Sequence, residues 1–167
     1  VGAYPAASSD LWMIDVMRDS IIGRFTFTQS NSNYPVWSPD SRELLFSSNQ
    51  DGFLSMYRKP VSGAAEERPF IKASANNYPT DWSRDGRTIV FTAVAPSTQA
   101  DIWTAPATGD GKPAAFLATS FNEFGGRLSP DGRIPASTTA FFFVGASLGN
   151  ISLPWLTGQA FDRISPR

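Results

Sequence analysis

The sequence contains no cysteine and no histidine among its 167 residues. Without thiolate and imidazole, disulfide frameworks, most zinc centres and every Ser-His-Asp or Cys-His nucleophile pair are excluded. The 14 basic and 15 acidic residues give a formal net charge of -1, and so small a charge gives no electrostatic footprint for nucleic acid. We therefore expect no nucleic-acid partner, no metal and no cofactor, and we assign no catalytic residue.

The sequence also lacks a recognisable targeting or membrane-spanning segment. No basic stretch followed by an apolar one opens the chain, as it would in a signal peptide. An uncharged stretch from Ile134 to Phe161 is interrupted by Pro135, Asn150 and Pro154, whereas a membrane span needs roughly 20 mostly apolar residues. Val1 is not an initiator methionine, so we expect the chain to be a fragment or a processed product.

What the sequence does contain is a repeat with a period of 45 to 46 residues. A turn segment reads WSPDSR at 37–42, WSRDGR at 82–87 and LSPDGR at 128–133. A second, independent set of landmarks keeps the same spacing and consists of Trp12, Tyr57 and Trp103. A period in the forties with such a turn predicts a β-propeller, in which each repeat is one four-stranded blade.

Strand and turn signals divide residues 1–133 into propeller repeats. They predict a half blade at 10–28, whole blades at 33–73 and 77–119, and another half blade from 122, so that the chain holds about three blades of four antiparallel strands. After Arg133 the pattern departs, because Pro135 stands where an apolar second strand is expected. Residues 134–167 are predicted to be a divergent tail, either with one strand at 140–144 or disordered.

The two tryptophan turn segments and the landmark Asp101-Ile102-Trp103 resemble the TolB-type propeller repeat over residues 10 to 133 or so. Repeats of this type also occur beside the catalytic domains of bacterial protein kinases and prolyl peptidases. The resemblance implies a six-bladed ring, of which this chain would be a fragment or half. It also implies an extracytoplasmic or periplasmic location and binding of proteins or small ligands without chemistry.

The repeated residues are expected to have structural roles. The turn aspartates should accept hydrogen bonds from nearby backbone N–H groups, and the turn glycines should adopt positive φ. Ser41 stands at the glycine position in the first turn, where it is the one residue of another type. The landmark aromatics should lie as wedges between blades, where they bury large areas. The residues concerned are Asp40, Asp85 and Asp131, Gly86 and Gly132, and Trp12, Trp37, Tyr57, Trp82 and Trp103.

Functional residues are expected on the loops that enter the innermost strands, at the mouth of the channel. These loops repeat an asparagine beside an aromatic residue, which suits a peptide or a sugar but is also compatible with turn geometry alone. Charges at channel-facing positions would not be needed by a scaffold alone. The candidate ligand-binding residues are Asn33, Tyr34, Asn77, Tyr78, Asp81, Asn122, Glu123 and Arg127.

The leading interpretation is a non-catalytic module for protein–protein interaction, or for sensing of a peptide or small ligand at the channel mouth. The alternative is a hydrolase, or the propeller part of a hydrolase or peptidase, which would need paired carboxylates or a metal. Because a half blade leaves an unpaired edge, we also predict a homodimer that completes the propeller. In it, residues 124–128 and 140–144 of one copy would pair with residues 10–16 of another.

Overall fold

The computed structural model describes residues 8–71, 75–95 and 99–129, together with the backbone of three short strands between 141 and 152. All of the regular elements in these ranges are β-strands, which confirms the all-β prediction. Within the same ranges, no helix has the length and apolar character needed to cross a membrane.

An N-terminal hairpin precedes two four-stranded antiparallel sheets. The hairpin consists of β1 (Trp12–Asp15) and β2 (Ser20–Arg24). The first blade contains, in spatial order, β3 (Ser32–Trp37), β4 (Glu43–Ser48), β5 (Ser55–Pro60) and β6 (Arg68–Ile71). The second blade repeats this order with β7 (Asn76–Trp82), β8 (Thr88–Val94), β9 (Ala100–Pro106) and β10 (Ala114–Leu117). The predicted blades of four antiparallel strands are confirmed.

A third blade begins after β10 and departs from the period. Its strands are β11 (Asn122–Glu123), β12 (Arg127–Leu128), β13 (Phe141–Phe142), β14 (Ala146–Leu148) and β15 (Ile151–Ser152). Leu128 pairs with Phe141, as Trp82 pairs with Ile89 in the second blade. Phe141 stands 52 residues after Ile89 instead of the expected 46. The partner of the inner strand therefore comes six residues later than the repeat predicts, and Pro135 lies outside the described residues. The rest of the predicted tail lies outside the described residues.

The hydrophobic core lies between the blades. Leu45 and Met56 of the first blade pack against Ile89 and Phe91 of the second. On the opposite face of the first blade, Phe46 and its neighbours pack against Phe25, which follows the hairpin. Leu45 and Phe46, which are adjacent in β4, thus pack on opposite faces of the sheet, as expected for successive residues of a strand. The faces of the two whole blades are covered by neighbouring units, as expected of a unit that cannot cover its own faces.

The aromatic landmarks are only partly the wedges that the sequence predicts. Tyr57 is buried, and Trp82 and Trp103 are half-buried against the core between the two whole blades. The prediction is wrong for Trp37, which is 48% exposed. Trp12 is 57% exposed on the outer face of the hairpin, beside which the described part of the chain places no preceding unit, so its wedge role stays a prediction. Trp12 faces away from the first blade because its neighbour in β1, Met13, is the residue that packs against it. Trp37 borders an open groove along the inner strands.

The turn aspartates have the predicted role. The Ser38 hydroxyl donates to the Asp40 carboxylate at 2.7 Å and the Arg42 N–H donates to it at 3.1 Å. These bonds, first the one from Ser38, hold the pKa of Asp40 below its ordinary value. Ser83, Asp85 and Arg87 repeat the arrangement. Gly86 has the predicted positive φ of 74°, and Ser41 adopts 60° in its place. Asp131 and Gly132 lie outside the described residues.

Candidate functional site

The innermost strands of three successive blades border one open groove of about 840 Å³. The first and second blades contribute β3 and β7, with two residues from the adjoining strand β8. The third blade contributes β12 and the residues just before it. The lining residues are Tyr34, Pro35, Val36, Trp37, Tyr78, Pro79, Thr80, Asp81, Thr92, Val94, Phe124, Gly125 and Arg127.

Two prolines shape the wall of this groove. Pro35 and Pro79 lie inside the inner strands, at β-bulges where the pairing register shifts. Because a bulge disrupts the ladder, a residue without an N–H is tolerated there. At the first bulge, Tyr34 has a φ of 56°. Such a conformation is an outlier for a bulky side chain.

Because of the bulges, Tyr34 and Tyr78, which match in the sequence repeat, occupy different positions in their sheets. Tyr78 pairs with Thr92, whereas the corresponding position of the first blade holds Asn33, which pairs with Ser47. The segment between Tyr34 and Trp37 is one residue shorter than its counterpart between Tyr78 and Trp82. Tyr34 therefore lies within its bulge rather than in the ladder, and its left-handed backbone absorbs the missing residue.

Aromatic rings dominate the surface of the groove. The ring centroids of Tyr34 and Tyr78 are 4.9 Å apart with an interplanar angle of 76°, an edge-to-face pair. Burial, and secondarily the neighbouring Tyr34, raises the pKa of Tyr78. Trp37 and Phe124 add two rings that are 48% and 43% exposed. The groove thus offers aromatic surface from all three blades.

The two charged residues of the groove differ in how they are held. The Asp81 carboxylate accepts the Trp82 N–H at 2.9 Å and the Leu128 N–H at 2.7 Å, so it joins the inner strands of neighbouring blades. Arg127 is exposed, and its guanidinium forms no hydrogen bond or ion pair with the described part of the chain. The charge that remains available to a ligand is therefore positive.

Four of the eight predicted site residues line the groove, namely Tyr34, Tyr78, Asp81 and Arg127. The other four lie outside its lining and contact the protein itself. Asn33 accepts a hydrogen bond from the Ser9 hydroxyl, and the backbone N–H of buried Asn77 donates to the Leu54 carbonyl. Buried Glu123 accepts the Thr119 hydroxyl. Asn122 belongs to a repeated arrangement.

We call this arrangement the asparagine clamps. A side-chain amide oxygen at or just before the start of an inner strand accepts a backbone N–H at or shortly before the start of a strand in the preceding unit, namely β1, β5 or β9. The three pairs are Asn31 with Ser9 at 3.0 Å, Asn76 with Leu54 at 3.1 Å, and Asn122 with Ala100 at 3.0 Å. Acceptors and donors keep the same period. These side-chain amides join neighbouring blades. The sequence analysis did not predict this role, although the common spacing of the three asparagines could have indicated it.

In the part of the chain that the structure describes, the carboxylates outside the groove do not form a metal site. Burial, and secondarily the charge of Glu123, raises the pKa of Asp101. Neither lines the groove. In the described ranges, no group of three or more potential metal-binding side chains is close enough to hold an ion.

Solved structures share this architecture. A TolB-type protein of Agrobacterium tumefaciens aligns with a TM-score of 0.60 at 20% identity, over 74% of this chain and 47% of its own. TolB of Acinetobacter baumannii aligns with a TM-score of 0.59 at 18% identity, over 74% and 30%. No protein-family model and no curated protein matches the sequence. At such identities the likeness shows the fold alone.

The fold is therefore part of a TolB-type β-propeller, which confirms the resemblance read from the turn segments. The chain spans less than half the length of either TolB structure. A prolyl endopeptidase also aligns, but its TM-score of 0.48 carries no argument about activity.

Proposed function

We propose that this chain is a non-catalytic binding module whose groove along the inner strands holds a segment of a partner protein or a peptide. The observation that carries the proposal is the edge-to-face pair formed by the exposed Tyr34 and the half-buried Tyr78, with Tyr34 held in a left-handed conformation. Open grooves lined by aromatic rings with few polar groups are typical binding sites, and backbone strain is concentrated at ligand contacts. The TolB-type resemblance supports an extracytoplasmic location.

The hydrolase alternative receives less support from the same residues. With no cysteine or histidine in the sequence, a nucleophile would need a carboxylate base. Asp81 is the acidic residue of the groove lining, and its carboxylate already accepts two main-chain N–H groups. Among the described residues, the groove lining contains no second carboxylate beside Asp81. The pair of carboxylates that such a hydrolase would need is therefore not found in this lining.

The groove can be tested with the full chain and a random peptide library. Peptides selected on the immobilised protein are expected to bind Tyr34→Ala at least tenfold more weakly than the unaltered chain, because a buried aromatic contact is lost. Phe53→Ala is the matched control, since Phe53 is 43% exposed and lies outside the groove lining. Fluorescence anisotropy gives the Kd values. Equal affinity for both variants, or no selected peptide, would contradict the proposal.

We also propose that a second copy of the chain covers the outer face of the N-terminal hairpin. Trp12, Ile14 and Ile21 are all more than half exposed there. Tyr57, one period after Trp12, is 1% exposed because a neighbouring unit covers it. Clustered apolar side chains of this kind mark interaction surfaces. The alignment with about half of one TolB-type structure is compatible with two copies completing a ring.

Strand pairing in the third blade indicates which edge the second copy would offer. β14 already pairs with β15 on the side away from β11. β13 pairs only with β12 in the described sheets and ends its sheet. The second strand of a blade pairs with the third, as β4 does with β5. We therefore propose that β13 of one copy lies beside β1 of the other.

Light scattering at micromolar concentration tests this dimer. The full chain is expected to have twice the monomer mass of 18.1 kDa, and Ile14→Glu is expected to reduce it to a monomer because it places a charge in the apolar contact. Met17→Glu, which makes the same kind of change at a 94% exposed turn residue, should remain dimeric. A monomeric unaltered chain would refute the proposal.

A further inference from the structure

We propose that the occupant of the groove is a proline-rich segment in the polyproline II conformation that carries an acidic side chain. This inference rests on the proposed binding function and names the chemistry of the partner. Aromatic-lined grooves are the surfaces that bind polyproline II segments in several unrelated domains. Three features of this groove favour such an occupant over other peptides.

The first feature is a set of hydrogen-bond donors on the aromatic rings that line the groove. The indole N–H of Trp82 donates to the Gly86 carbonyl at 3.3 Å. Trp37 occupies the same repeat position, but its indole N–H has no acceptor within the described ranges. The hydroxyls of Tyr34 and Tyr78 likewise have no partner there. A polyproline II segment has no internal hydrogen bonds, so its carbonyl groups remain free to accept from these donors.

The second feature is the poor quality of the groove wall as a template for an added β-strand. An extended peptide that joins a sheet edge needs a regular row of backbone N–H and C=O groups. Pro35 and Pro79 remove one N–H each from the inner edges that border the groove. Both also lie at register shifts. Recognition through ring surfaces and side-chain donors is therefore favoured over recognition through backbone pairing.

The third feature is the unequal availability of the two charges. Asp81 is engaged by the N–H groups of Trp82 and Leu128, while the exposed Arg127 has no partner in the described part of the chain. A guanidinium in this situation can form a charge-assisted, bidentate contact with a carboxylate. We therefore expect the segment to place an aspartate or glutamate beside Arg127.

The experiment uses three fluorescent peptides of equal length with the full chain. The first is rich in proline and contains one glutamate, the second replaces every proline with alanine, and the third replaces the glutamate with lysine. Fluorescence anisotropy is expected to show at least tenfold weaker binding of the alanine peptide and at least fivefold weaker binding of the lysine peptide. The alanine peptide keeps the glutamate, so its weaker binding would be due to the missing prolines and not to a change of charge.

Two conservative variants show which residues cause the differences in peptide binding. Trp37→Phe keeps an aromatic ring but removes the indole N–H, and it should weaken binding of the first peptide several-fold. Arg127→Gln should abolish the difference between the glutamate and lysine peptides while leaving the preference for proline. Thermal melts of both exposed-site variants should match the unaltered chain, so that a loss of binding is not a loss of folding.

The outcomes separate this inference from the proposed function. If the alanine peptide binds as tightly as the proline peptide, or if Arg127→Gln keeps the charge preference, the inference is wrong. If library-selected peptides without proline bind, and if Tyr34→Ala weakens their binding, the proposed binding function is supported but the proposed proline-rich occupant is not. If no peptide binds the groove, both are refuted.

Discussion

Replacing Trp82 with alanine is expected to lower the free energy of unfolding by about 3 kcal/mol, at the low end of the range for tryptophan truncations because the ring is half-buried. Trp82 packs against the core between the first and second blades. The Arg58 guanidinium lies 5.0 Å from its ring and 4.8 Å from that of Phe70, so the three side chains form one stack. The variant removes the outer layer of this stack and the indole N–H bond to Gly86.

The matched control is Trp37→Ala, at the same position of the preceding repeat. Its ring is 48% exposed and borders the groove, so the cost should stay below about 1 kcal/mol. Urea denaturation followed by far-ultraviolet circular dichroism gives both values. Equal losses for the two variants would show that the ring environments do not differ as the structure indicates.

Removal of one asparagine clamp is expected to have the next largest effect. Asn76→Ala should destabilise the fold by about 1.5 kcal/mol, because the half-buried N–H of Leu54 loses its acceptor at the contact between two blades. Peptide affinity should not change, since Asn76 does not line the groove. Denaturant unfolding and fluorescence anisotropy measure the two effects on the same preparation.

Asn33→Ala is the control for this variant. Among the described residues, the Asn33 side chain accepts a hydrogen bond from the Ser9 hydroxyl alone, and this hydroxyl also contacts Asn31. We expect a loss within about 0.5 kcal/mol, as for a surface change. A loss at Asn33 equal to that at Asn76 would mean that the contact between blades does not depend on the amide–backbone bond.

Much of the fold could be predicted because the repeat carries two landmarks in phase. The turn at Asp85 and Gly86 and the order of strands around it follow from local chemistry that acts over a few residues. The environment of Trp37 could not be predicted from the same pattern. Whether a landmark ring is buried depends on the neighbouring blade and on the bulge before it, and neither is encoded in the turn segment.

The candidate site was predicted in part for a similar reason. Loops that enter inner strands lead to the channel, so Tyr34, Tyr78 and Arg127 were found from their position in the repeat. Thr92 and Val94 were missed because they reach the groove from the second strand, through the register of β7 and β8. The sequence shows that one repeat is a residue shorter between its tyrosine and tryptophan, but it could not show that the tyrosine of that repeat leaves the ladder while Asn33 takes the equivalent pairing position.

The asparagine clamps have a consequence for how loosening of the chain could be observed. In each clamp the acceptor belongs to one blade and the donor amide to the unit before it. Hydrogen–deuterium exchange at the amides of Ser9, Leu54 and Ala100 therefore reports on three different junctions. In a repeat architecture, where stability is the sum of units and nearest-neighbour contacts, exchange at these amides resolves which junction opens first.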